Sequence, residues 1–224
     1  MTMPEHYLPS DIERTSFSII RQELKEKGKT FPEMEASVVF CCIHATADFD
    51  YADLLHFSDG AISDAVHVLQ GGCTIVTDTN MALAGISKVA LKKLGCEAVC
   101  YMAEPAIAKR AEDQGITRAA SAMDHAKETC PTGIRAVGNA PTALFRLADQ
   151  IEQGLRPALI IAAPVGFVNV VESKNRILTV CRQYAIPIIT VVGRKGGSTV
   201  CTAICNALLY EAAGMTDPSA RGWN

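Results

Sequence analysis

The sequence predicts an α/β fold: one domain over residues 1–224, built on a mostly parallel sheet of about five strands with helices on both faces, plus N-terminal helices. Three observations carry this expectation. Short apolar, β-branched runs recur from about residue 72 onward. Each is followed by turn residues and then a segment of helical period. No linker, internal repeat or low-complexity tract separates one part of the chain from another.

Taken in order, Ser10-Asp11-Ile12-Glu13 has the pattern of a capping box, with Phe17, Ile20 and Leu24 at helical spacing behind it. Gly28 follows a Lys-rich stretch, where a helix stop belongs. A second helix is expected from Pro32 toward His44. Its 38–43 stretch is apolar and partly β-branched, so a strand competes there, and length favours the helix. The strands are then expected at 73–77, 97–101, 134–137, 158–162 and 188–192. The helices are expected at 87–94, 105–114, 117–128, 142–153, 169–184 and 198–213.

A parallel sheet binds ligands outside the carboxyl ends of its strands. There this chain carries Val-Gly-Asn-Ala-Pro-Thr-Ala-Leu (137–144), Pro-Val-Gly-Phe-Val-Asn-Val-Val-Glu-Ser-Lys (164–174) and Gly-Arg-Lys-Gly-Gly-Ser-Thr (193–199). Each loop enters a helix, so each is expected to offer free backbone N–H groups and a positive dipole end suited to carboxylates or phosphates.

Composition narrows the partners. The formal charge of −3 gives no general attraction for nucleic acid or an anionic membrane, so an anionic ligand must be held by local groups. Residues 1–10 are polar without an apolar stretch, and runs such as 158–163 are too short to span a bilayer. Nine cysteines, an odd number with no CxxC pair, read as reduced and mostly buried thiols, with redox or metal chemistry as the alternative. The cytoplasm is the expected compartment, and neither a nucleic acid nor a membrane is an expected partner.

Several residues invite chemistry. The 193–199 loop departs from both GxGxxG and GxxxxGK[ST], since its lysine precedes the paired glycines. Gly196-Gly197 either permit a tight turn or, with Arg194 and Lys195, mark an anion site. His44 is a candidate acid or base, or a satisfied structural residue. His6, His56, His67 and His125 show no metal-binding spacing, and no metal is expected. Asp48, Asp50 and Asp53 read as capping and solvated groups. Arg118, at a helix entry, opposes the dipole, which fits a ligand contact or a salt bridge to Glu112 or Asp113. Unaided, the residues describe an α/β enzyme or binder with a cationic, Gly-rich mouth for a small anion.

The three loops together resemble the precorrin-8X methylmutase family. Thr15-Ser16-Phe17, the stretch Ile43-His44 through Tyr51, Thr77-Asp78 with Met81 beyond, and Thr117-Arg118 extend the likeness in order from about 10 to 210. The resemblance implies an isomerase of corrin biosynthesis. It would move a methyl group from ring carbon 11 to ring carbon 12 of precorrin-8 or cobalt-precorrin-8, giving hydrogenobyrinate or cobyrinate. No cofactor or external methyl donor is implied, and a homodimer is expected. His44 matches the family's catalytic histidine and is expected to act as a general acid. Ser16 matches a substrate-contacting serine. Asp78, Arg118, Asn139, Ala140, Pro141, Thr142, Gly166, Phe167, Arg194, Lys195, Gly196, Gly197 and Ser198 are expected to bind substrate, with Phe167 and Met81 facing the ring.

Two departures from the family pattern stand out. Phe40 and Cys41 occupy positions where basic residues are common, so a rim contact is either missing or supplied from elsewhere, by Arg135 or Arg194. Asn169-Val170-Val171 replaces a smaller Gly-Ala-Ala, which would reshape the site or a subunit contact. The alternatives to the isomerase are a non-catalytic corrinoid carrier and a nucleotide-dependent enzyme using the 193–199 loop.

Overall fold

A computed structural model describes residues 8–221; positions 1–7, including His6, and 222–224 lie outside the described residues. The chain opens with α1 (Pro9–Glu26) and α2 (Glu33–Thr46). The capping box expected at Ser10 is not used. The helix begins two residues earlier than that box implies, at Pro9, whose fixed φ suits a first helical turn, and Leu8 flanks it without a side-chain bond. The 38–43 stretch is helical, with Val38, Val39, Phe40, Cys42 and Ile43 buried. A buried helix needs no polar face, which is why its pattern resembled a strand.

After α3 (Tyr51–Leu54) comes β1 (Leu55–Phe57), a strand the sequence did not suggest, followed by α4 (Ala61–Gln70). The alternating part then runs β2 (Thr74–Thr77), α5 (Asn80–Gly85), α6 (Lys88–Leu94), β3 (Glu97–Val99), α7 (Pro105–Gln114), α8 (Arg118–Thr129) and β4 (Ile134–Val137). It continues with α9 (Pro141–Glu152), β5 (Leu159–Ala162), α10 (Val170–Gln183), β6 (Ile188–Val191) and α11 (Ser198–Ala213). The sheet therefore has six strands, in the order β1-β6-β5-β4-β2-β3. All pairs are parallel except β1 with β6, which is antiparallel and sets Leu55 beside Val191.

The central strands β4, β5 and β6 are buried at every position, as expected of a parallel sheet covered on both faces. Alternate side chains feed two cores. Ile134, Ala136, Ile161 and Val191 pack under α2, α4 and α11, whereas Val137, Ile160, Ala162 and Ile188 pack under α8, α9 and α10. The two faces exchange between β2 and β4, where the order reverses, and this is the switch point at which such sheets open a crevice.

Candidate active site

His44 lies in the last turn of α2, exposed, with its ring edge-on to Phe17 of α1 at a centroid distance of 5.4 Å and an angle of 88°. The two rings stand on the wall of a cleft of about 770 Å³. Other walls come from Cys41 of α2, Met81 of α5, Thr202 and Tyr210 of α11, and Arg221. That volume is at the large end of small-molecule sites. Cys41 sits one helical turn from His44, and burial pushes its thiol up to about 12, so it presents a neutral, weakly polar surface. Among the described residues, the cation in the wall is Arg221, and it is already engaged. It pairs with Glu13, donates to the carbonyls of Met215 and Thr216, and lies over the Tyr210 ring.

Polar side chains of α11 fasten α5 to the cleft. Ser198 and Thr79 hydroxyls meet at 2.9 Å, Thr202 donates to the Ala82 carbonyl, and Asn206 bonds both the Gly85 carbonyl and the Ser87 N–H. Met81, 71 % exposed, is thereby held at the cleft's edge.

Beside the cleft the strand ends converge, and here the expectation of three free helix entries is corrected. Asp78, which follows β2, is fully buried, and its carboxylate accepts the N–H groups of Gly138, Asn139 and Ala140 at 2.8, 2.9 and 2.7 Å. The anion site at the entry to α9 is thus filled from within the chain, and Asp78 supports the loop from beneath. Burial pushes the Asp78 carboxyl above the usual range against the opposing pull of those donors. Pro141 opens α9, and the Thr142 and Thr117 hydroxyls meet at 2.8 Å, tying α9 to the start of α8.

The entry to α11 is different. Ser198 begins the helix behind Gly197 without a side-chain cap, and Thr199 of the same turn lines the cleft. Among the described residues, no side chain takes its first-turn N–H groups. Gly138 is necessary to this arrangement: a Cβ there would lie 2.8 Å from Cys201 Cβ and 2.9 Å from Ser198 Cα. At Gly196, φ is +150° and a Cβ would fall 2.2 Å from the Ala163 carbonyl oxygen, so only glycine passes. Gly197 N–H donates to Ala163 O at 2.7 Å, and Gly166 N–H to Arg194 O at 3.2 Å, which joins the second loop to the third.

The expected cations separate into distinct roles. Lys195 is not a free rim cation: it pairs with both Asp48 and Asp50, which raises its pKa and lowers that of Asp48. Those two aspartates therefore do more than cap and solvate, and Asp53 pairs with Lys29. Arg135 is wholly buried on β4 and donates to the carbonyls of Ala126 and Cys130, closing the end of α8, so it is no rim contact. Arg118 is exposed, and among the described residues it has no ion pair, neither to Glu112 nor to Asp113. Arg194 is exposed and stacks over Phe167, 5.6 Å from the ring centroid.

Phe167 and Val168 are 85 % and 76 % exposed at the tip of the second loop, outside the residues lining the cleft. Asn169, at φ +60°, turns the chain into α10, and Val170 is buried against Gly166. Ser16 does not line the cleft; its hydroxyl donates to the Ile12 carbonyl of its own helix.

Sequence reasoning gave Lys174 no role. It is 1 % exposed, and its ammonium donates to the carbonyls of Gly193 and Lys195 at 2.9 and 2.8 Å. Only its place at the end of the 164–174 motif hinted at this. Turned to Lys174, those carbonyls tie the 193–197 loop to α10. The nine cysteines are free; Cys42, Cys181, Cys201 and Cys205 are buried and the other five half-buried, fewer buried thiols than expected.

A family model described as precorrin-8X methylmutase (CbiC) matches residues 11–211. The chain is 40 % identical to a cobalt-precorrin-8 methylmutase of Salmonella typhimurium, covering 92 % of this chain and 98 % of that one. It is 35 % identical to a precorrin-8X methylmutase of Pseudomonas aeruginosa, covering 89 % and 94 %. A crystal structure of precorrin-8X methylmutase from Thermus thermophilus superposes with a TM-score of 0.81 at 40 % identity, covering 91 % of this chain and 98 % of that one. The chain belongs to the precorrin-8X methylmutase family, with that family's fold, and is an isomerase of corrin biosynthesis.

Proposed function

We propose that this isomerase moves a methyl group from ring carbon 11 to ring carbon 12 of precorrin-8 or its cobalt complex, with His44 as the acid. The observation that carries the reading is His44 on the wall of a cleft of about 770 Å³ whose other side chains are mostly apolar or already hydrogen-bonded. A corrin precursor is flat and apolar in its middle and ringed by carboxylates. The middle suits the Phe17, Cys41 and Met81 walls, and the rim suits the uncapped first turn of α11 with Arg194 and Arg118 beyond it.

In this mechanism His44 donates a proton or strong hydrogen bond to the ring system near the migrating methyl. Electron withdrawal weakens the bond at carbon 11, the methyl re-bonds at carbon 12, and the proton returns to His44, so substrate and product are isomers. A homodimer, with the exposed Phe167–Val168 tip against a second copy, and a cytoplasmic setting belong to the same proposal. No separate observation favours a non-catalytic carrier.

The test is anaerobic turnover of precorrin-8 with and without cobalt. His44→Ala is expected to bind hydrogenobyrinate while losing about 10²–10⁴-fold in turnover, the usual contribution of a positioned acid. Wild-type turnover by His44→Ala would overturn the assignment.

A further inference from the structure

We propose that Lys174 is a positioning residue: by drawing the carbonyls of Gly193 and Lys195 inward, it holds the 193–197 loop in the form that presents Arg194 and the first turn of α11 to an acidic substrate. The inference rests on the anion-binding role given above to that loop.

The geometry supports it in three ways. Lys174 is buried, yet its ammonium meets no carboxylate; both of its partners are carbonyls of one loop. In a trans peptide the C=O and N–H point opposite ways, so carbonyls turned to Lys174 leave the N–H groups of Arg194 and Gly196 facing away from it, that of Gly196 toward the buried Tyr51 hydroxyl and that of Arg194 toward the loop's outer side. Beyond the loop, α11 begins with no side chain capping it. A buried cation behind the loop therefore adds its field to the positive end of that helix.

The surrounding charges leave this cation uncompensated. On the loop, Lys195 is turned to Asp48 and Asp50, and Arg194 lies over Phe167. On α10 and the adjoining α9, Arg176 is paired with Asp149 and Glu152, Arg146 with Asp124, and Glu172 is exposed. Burial alone lowers the Lys174 pKa, to about 8. The charge is consequently lost within the range where the folded protein can be studied.

Two readouts test this. Hydrogen exchange of the 193–199 peptide, measured without ligand, is expected to be faster in Lys174→Met than in wild type or Lys174→Arg. Hydrogenobyrinate affinity, followed by its visible spectrum, is expected to fall about tenfold in Lys174→Met at pH 7, with a smaller change in turnover. Wild-type affinity should weaken as pH rises through about 8, while Lys174→Arg stays tight to pH 9.5. If Lys174→Met does not fold, the wild-type and Lys174→Arg titrations decide. Unchanged exchange, or wild-type affinity that is flat from pH 7 to 9.5, would overturn the proposal. Failure of wild type to bind the corrinoid at pH 7 would instead overturn the substrate reading, and the exchange experiment would still judge Lys174.

Discussion

Replacing Asp78 by Asn tests how the strand ends are held together. The carboxylate accepts three N–H donors, one on Oδ1 and two on Oδ2. An amide has one acceptor oxygen. Its best placement keeps the bonds to Asn139 and Ala140 and sets the NH2 against the buried N–H of Gly138. Hydrogen bonds to a charged group are worth about 1.5–3 kcal/mol net, and a stranded buried donor costs about 1–3 kcal/mol. Relief of the buried charge, whose desolvation raises the Asp78 pKa, offsets part of this. The balance is a loss of about 3 kcal/mol. In a chain of this size that corresponds to a Tm lower by about 6–12 °C. Thermal unfolding at pH 7, followed by circular dichroism, measures it. A variant melting within about 2 °C of wild type would refute the claim that this carboxylate organises the 138–140 loop.

Other expectations follow from the same geometry. Gly138→Ala drives a methyl against backbone at 2.9 Å and is expected to cost about 1–3 kcal/mol in a denaturant melt, whereas an unchanged midpoint would contradict the close approach of α11. Arg194→Gln should weaken hydrogenobyrinate binding by up to about fivefold in low salt and less in high salt. Asp48→Asn with Asp50→Asn, which frees Lys195, should tighten binding instead; weaker binding would show that the ion pair does not neutralise it. Because burial lowers the Lys174 pKa, the unfolded chain binds more protons between about pH 8 and 10.5, and stability from this group rises with pH across that window. The gain is roughly 3 kcal/mol. Wild type should therefore gain on Lys174→Met as pH is raised, and a constant difference in their denaturant midpoints would exclude the buried charge.

The parallel core was legible because strands covered on both faces read as largely apolar runs, unbroken in 158–162 and interrupted only by Arg135 in 134–137 and Thr190 in 188–192. The first strand was not legible, since Leu55-His56-Phe57 is three residues with an exposed histidine in the middle. His44 and the three loops were visible as residue types and motifs, but their electrostatics were not. Lys195 finds Asp48 and Asp50 from about 145 residues away, and Asp78 finds the 138–140 loop from about 60. Such pairings depend on which strand ends meet, and no local pattern encodes that. Lys174 was missed because a lysine on a helix is ordinarily exposed, and only the fold reveals two carbonyls waiting for it.

The two outermost strands have one more consequence. β1 and β3 are each three residues long, and they form the two margins of the sheet. A neighbouring chain seeking to add a strand would find fewer than a handful of backbone groups on either side, too short a template to nucleate runaway edge-to-edge pairing. The chain thus carries a buried, largely apolar sheet centre without offering it to aggregation. The large apolar groups it does expose stand in loops and helices, Met81, Val165, Phe167 and Val168 among them.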